Sequence, residues 1–211
     1  MSAATPRRRR MSRADRERQM LDVAEEVFGE RGFRATSMDE IAERCGVSKP
    51  MLYEYFGSKE GLLRASIARS KEELHDVTLK AVSGATTPRD ILWQGMVAYF
   101  TFVDSHSKSF TMLLQQPVEV PAETAGTVEA TRVQQSELIY GVLALFAPDA
   151  PRADLEAYTE IIIGASERLA LWRAARPEVG VEDAARYMTE FCWNGLSPYV
   201  PDPGEAPPAP R

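Results

Sequence analysis

The side chains that could make or break bonds are few and badly spaced for it. His75 and His106, the only histidines, fit no HExxH pattern and no nucleophile–base arrangement. No glycine loop of the kind that cradles a phosphate or a dinucleotide is present. Cys45 and Cys192 lie far apart and outside any CxxC spacing, which argues against a disulfide framework or a zinc site and for a reducing cytoplasm. The adjacent carboxylates Glu25-Glu26 and Glu72-Glu73 fall in charge-rich helical stretches and read as solvated. No catalytic residue, cofactor or metal is therefore expected. A different chemistry is offered by Lys49, Pro50, Met51 and Glu54, flanked by Tyr53 and Tyr55. A lysine can donate to guanine O6 or N7, and a proline or methionine edge can touch a thymine methyl. Side chains of these types can meet base edges if they are held outward, and none of them is arranged to transform a substrate.

Such a set works only if something holds it outward, and the surrounding pattern is helical. Met20, Leu21, Ala24, Val27 and Phe28 recur at three- and four-residue spacing, an apolar stripe that needs a core. Gly32 follows where a left-handed C-cap residue belongs. Thr36 with Asp39 reads as a capping-box start for a second helix carrying Met38, Ile41, Ala42 and Cys45, ended by Gly46. Ser48 is a cap for a third helix, with Pro50 in its first turn, where a missing N–H costs nothing. Gly57 closes that helix, and Ser58 can cap a fourth running through Leu62, Leu63, Ile67 and Leu74. Helices this short are not stable alone in water, so they must pack on one another and on the first. With Phe28, Ile41, Val47, Leu52 and Phe56 inside, the outer face of the third helix is left for solvent or a partner, and its exposed amino end suits the major groove.

The stretch from Val27-Phe28-Gly29-Glu30-Arg31-Gly32-Phe33, through Ala35-Thr36-Ser37-Met38-Asp39-Glu40-Ile41-Ala42 and Gly46-Val47-Ser48-Lys49-Pro50-Met51-Leu52-Tyr53-Glu54-Tyr55-Phe56, to Ser58-Lys59-Glu60-Gly61-Leu62-Leu63 closely resembles the DNA-binding region of the TetR-like (tetracycline-repressor-like) family. The resemblance covers about residues 15–65. It implies that Thr36 and Ser37 lie against the phosphate backbone, that Lys49, Pro50 and Met51 look into the major groove, that Tyr53 and Tyr55 clasp phosphates, and that Lys59 holds another. Thr36 and Ser48 read as caps in either case, and the resemblance makes DNA contact a second use of each. Tyr53 and Tyr55 also suit the edge of a core, and Lys59 could be a plain solvated lysine. Glu54 stands where an aromatic or basic side chain would serve better, and Cys45 reads as packing.

The 211 residues are 44% apolar, enough to bury a sizeable core. Of 25 Lys and Arg and 31 Asp and Glu, 13 and 11 fall in residues 1–64, which leaves 12 and 20 beyond. The acidic remainder is not the nucleic-acid surface. Residues 1–12, with Arg7 to Arg10 in a row, read as a flexible basic arm, either solvated or in contact with DNA. Residues 13–60 form the helix-turn-helix head, 61–197 an all-helical body and 198–211 a Pro- and Ala-rich disordered tail. Proline-bounded spans at 89–105, 107–116, 122–146, 152–175 and 181–196 make the fold all-α. No run of 18 apolar residues is present, so no membrane span is expected.

The resemblance implies a homodimer joined through the last two long helices. Leu155, Tyr158, Ile162, Ala165, Leu169 and Trp172, and Ala184, Tyr187, Met188, Phe191 and Gly195, follow helical spacing there, as either an interface or an internal core. It also implies an apolar cavity among the middle helices, with Trp93, Phe100, Phe110, Met112 and Tyr140 as the expected lining and Gln115 or Gln116 as polar contacts. A small hydrophobic or amphipathic effector would release such a repressor from a two-fold operator. The competing reading is a dimeric regulator without an effector, its body a dimerisation or protein-docking platform.

Overall fold

The computed structural model describes residues 11–106, 133 and 136–196, and every regular element among them is a helix. Residues 1–10, the span 107–116, most of 122–146, and 197–211 lie outside the described residues, and with them Phe110, Met112, Gln115 and Gln116. The elements are α1 (Arg13–Ala35), α2 (Met38–Cys45), α3 (Lys49–Phe56), α4 (Lys59–Val82), α5 (Pro88–Ser105), α6 (described over 136–146), α7 (Arg152–Ala174) and α8 (Val181–Leu196). The fold is all-α, with α1–α3 and the start of α4 as a helix-turn-helix head and the remainder as a helical bundle.

The caps explain the boundaries. Ser12 Oγ accepts from the Asp15 N–H at 3.0 Å and starts α1. Gly32 has φ 75° and ψ 163°, so it is a kink with extended ψ instead of the expected left-handed cap. The kink turns Phe33 back toward Phe28, with the ring centroids 5.9 Å apart. The cap of α2 is Ser37, not Thr36: Ser37 Oγ accepts from the Glu40 N–H at 3.1 Å. Ser37 and Glu40 stand at the Ser-x-x-Glu spacing, a better box than Thr36 with Asp39. Gly46 ends α2 in the left-handed conformation, φ 67° and ψ 33°, as its position in the turn requires. Ser48 sits at the N-cap position of α3 but makes no side-chain cap bond, so its expected capping is positional only. Ser58 caps α4 by accepting from the Gly61 N–H at 2.9 Å, and Thr87 caps α5 by accepting from Asp90 at 3.1 Å.

Two separate cores result. Met20, Ala24, Val27, Phe28, Ile41, Leu52, Leu62, Leu63 and Ile67 build the head core. Each of the larger side chains among them contributes roughly 1.5–3 kcal/mol on full burial, which is what holds helices as short as α2 and α3, eight residues each. Tyr99, Phe100, Leu143, Leu155, Ile162, Ala184 and Met188 build the body core, where α5 packs on α8 and α4. Helix α4 belongs to both cores: Ile67 closes the head cluster, and Leu74 packs against the body cluster.

Candidate nucleic-acid interface

Helix α3 has two clearly different sides. Leu52 is fully buried, and Met51, Tyr55 and Phe56 pack partly against the head core. Lys49, Pro50, Tyr53 and Glu54 are exposed, together covering less than half of the helix circumference. Tyr53 is an exposed aromatic at 43% accessibility, which a core-edge residue would not be. Tyr55 differs: it is half-buried, and the Arg13 guanidinium stands over its ring at 5.0 Å. Met51 is likewise half-turned into the core, so the fully open part of the expected groove-facing set is Lys49 and Pro50.

The charged groups around α3 are held in place. Lys49 Nζ donates to Asp39 Oδ2 at 2.8 Å, and that carboxylate raises the ammonium above its usual pKa. On the far side of α2, Arg44 reaches Glu30 at 2.8 Å and Glu40 at 3.1 Å, and Arg31 meets Glu40 at 2.8 Å. These pairs brace α2 against α1. Burial pushes the Cys45 thiol up to about 11, so it stays neutral and acts as packing.

Thr36 and Lys59 are placed differently from a simple phosphate contact. Thr36 is 3% exposed, and its hydroxyl donates to Gly32 O at 2.8 Å. Its side chain therefore points into the protein, and phosphates would meet its neighbour Ser37, which is exposed. Lys59 Nζ donates to Phe33 O at 3.0 Å and to Thr36 O at 2.9 Å, and lies 4.4 Å from the Phe33 ring centre. It ties the start of α4 to the corner between α1 and α2. One ammonium N–H is left over from these two bonds.

A cavity of about 190 Å³ opens in the body, well away from α3. Its walls are Leu74, Thr78 and Val82 of α4, Leu92, Gly95 and Met96 of α5, Ile139 and Phe146 of α6, Ile162 of α7 and Trp193 of α8. Lys71, His75 and Thr78 give it a polar edge along α4. Among the described residues the wall is mostly aliphatic, not the aromatic one expected. Phe100 is fully buried in the core, Trp93 packs against that core, and Tyr140 sits partly buried with the Arg152 guanidinium 5.9 Å from its ring centre. The other two expected residues, Phe110 and Met112, lie outside the described set. Among the described residues, no group of three or more His, Cys, Asp or Glu side chains could hold a metal ion, and no helix is long and apolar enough to cross a membrane.

A model of the bacterial regulatory proteins of the tetR family matches residues 20–66, and one of the tetracyclin repressor-like C-terminal domain matches residues 88–195. The chain belongs to the TetR family. As a TetR-family protein it is a DNA-binding transcriptional regulator. It is 30% identical over 193 residues to the HTH-type transcriptional activator FasR of Mycolicibacterium smegmatis, spanning 91% of this chain and 87% of that one. A TetR-like transcriptional regulator from Rhodococcus sp. RHA1 superposes with TM-score 0.73 at 36% identity, covering 89% of this chain and 99% of that one. FadR from Bacillus subtilis, solved in complex with stearoyl-CoA, shares the fold with TM-score 0.73 at 16% identity, covering 84% of this chain and 98% of that one.

Proposed function

We propose that this TetR-family regulator binds a two-fold operator as a homodimer and leaves it when a small amphipathic molecule fills the body cavity. The observation that carries the reading is the exposed side of α3. It presents Lys49, Pro50 and Tyr53 on a helix whose opposite side is locked into the head core. Lys49 is the base-reading group, exchanging Asp39 for guanine in the groove. Ser37, Ser48, Tyr53 and the half-buried Tyr55 are the phosphate contacts, with the spare N–H of Lys59 and the backbone at Thr36 as further anchors. Pro50 and the exposed edge of Met51 supply apolar contact to thymine methyls.

The dimer face is reassigned within the same two helices. Leu155 and Ile162 on α7 and Ala184 and Met188 on α8 are buried in this chain's own core. The sides left open carry Ala157, Ile161 and Gly164 on α7 and Tyr187, Phe191 and Gly195 on α8. Phe191 is 64% and Ile161 49% exposed, a cost that a second copy would remove. One small head reads few base pairs, so two-fold pairing also supplies the specificity.

The cavity supports an effector over a body that is only a platform. It exceeds the roughly 150 Å³ that suffices for benzene in an apolar core, and its polar edge on α4 suits an amphiphile. The same fold in FadR accommodates stearoyl-CoA. Residues 61–197 would then serve dimerisation and sensing, with residues 1–12 following phosphates beside the head. Occupation of a promoter by the dimer blocks transcription, the repressor's route; the relative from Mycolicibacterium smegmatis is named an activator. Selection of bound fragments from random duplex DNA by the purified protein tests the reading. An inverted repeat should emerge, and recovery of no enriched sequence would refute it.

A further inference from the structure

Helix α4 changes allegiance between Ile67, the last residue in the head core, and Leu74, which packs in the body. That is a rise of about 10 Å along the helix. Within this interval α4 makes a polar tie to α1. Glu25 Oε1 accepts from Arg69 Nη2 at 2.9 Å and from Ser70 Oγ at 2.8 Å. Arg69 Nη1 bonds Asp22 Oδ1 at 2.7 Å and Arg18 O at 3.0 Å. Glu25 and Ser70 are both 8% exposed. A carboxylate so withdrawn from water is tolerated only where its partners hold it, and it loses that tolerance if they move. The next α4 residues, Lys71, Leu74 and His75, already line the cavity.

We propose that Glu25, Arg69 and Ser70 form the fulcrum through which the state of the cavity sets the angle of the head. They are positioning residues: none faces the DNA surface or needs to touch an effector. Apolar packing between α1 and α4 tolerates small slides, whereas a bifurcated contact to one buried carboxylate oxygen fixes both the height and the rotation of α4 against α1. Displacement of α4 at the cavity therefore turns α1, and α3 with it, instead of being absorbed at the junction. The inference rests on the cavity reading but adds the residues that transmit it.

A cavity-filling substitution stands in for the unidentified effector. A Cβ on Gly95 would lie 3.7 Å from Val82 Cγ1 of α4, so Gly95→Leu pushes on α4 from within the cavity. The test is a double-mutant cycle of Gly95→Leu with Glu25→Ala, repeated with the milder Ser70→Ala in case Glu25→Ala does not fold. Hydrogen exchange of the α1 amides is read first, because it needs no DNA. Gly95→Leu should change α1 exchange when the tie is intact and leave it unchanged when the tie is cut. Affinity for the selected duplex should fall by about tenfold with Gly95→Leu alone, and by less than about threefold on the cut background. Equal effects in both backgrounds, or no effect of Gly95→Leu on α1, would overturn the fulcrum. Absence of any selected duplex would instead count against DNA reading and leave the exchange result to decide this inference.

Discussion

Lys59→Ala separates two roles that the same lysine could play. Its ammonium makes two bonds to the carbonyls of Phe33 and Thr36 and a cation–π contact with the Phe33 ring at 4.4 Å. A bond from a charged donor is worth about 1.5–3 kcal/mol when buried, and about 1 kcal/mol here, because both contacts are part-buried and water can replace the donor. The ring contact adds about 0.5 kcal/mol. Removing the side chain should therefore destabilise the protein by about 2.5 kcal/mol. Urea unfolding at fixed protein concentration reads this as a lower midpoint with unchanged slope. Operator affinity should fall as well, because the corner carrying Ser37 loses its brace, while the salt dependence drops by at most one phosphate contact. Full retention of stability with a salt slope reduced by one would refute the brace and return Lys59 to a purely phosphate-binding role.

The other expectations follow from single contacts. Lys49→Ala should change the base preferred at one position of each half-site while leaving the unfolding midpoint close to wild type, because the pair it forms with Asp39 is exposed; repeating the duplex selection with the variant checks this. Phe191→Glu should turn the dimer into monomer at micromolar concentration, read by sedimentation, with the helical circular-dichroism signal kept. Burial raises the Glu25 pKa above its ordinary 4.5 against the opposing pull of Arg69, Ser70 and His106. The folded state thus binds the proton more tightly, and unfolding free energy falls as pH rises from that ordinary value through the raised one, then levels off. Glu25→Gln should lack this descent, which parallel unfolding curves across the acid range would show.

The head was legible where local backbone rules decide. Gly46, Ser58 and the placement of Pro50 follow from steric and capping requirements that a few neighbouring residues settle. Thr36 and Ser37 were one residue out of register, because both offer a hydroxyl and only the tertiary turn at Gly32 shows which one is captured inside. The Lys59 brace spans 26 residues to Phe33 and 23 to Thr36, a contact with no local trace in the sequence. In the body, periodicity located α5, α7 and α8 but gave no means of telling which apolar stripe faces a void, a core or another copy. Phe100 and Ile162 look alike as apolar helical residues, yet only Ile162 borders the cavity. The stripe through Leu155 and Ile162 proved internal, while Ile161, one position away, is open.

Protection of guanine N7 from methylation on the selected duplex tests most directly whether α3 reads DNA from the major groove. Two protected patches should appear, related by two-fold symmetry and centred a whole number of helical turns apart, about 10–10.5 base pairs per turn. Lys49→Ala should lift the protection in both. Protection confined to one patch, or none at N7 despite tight binding, would contradict the account.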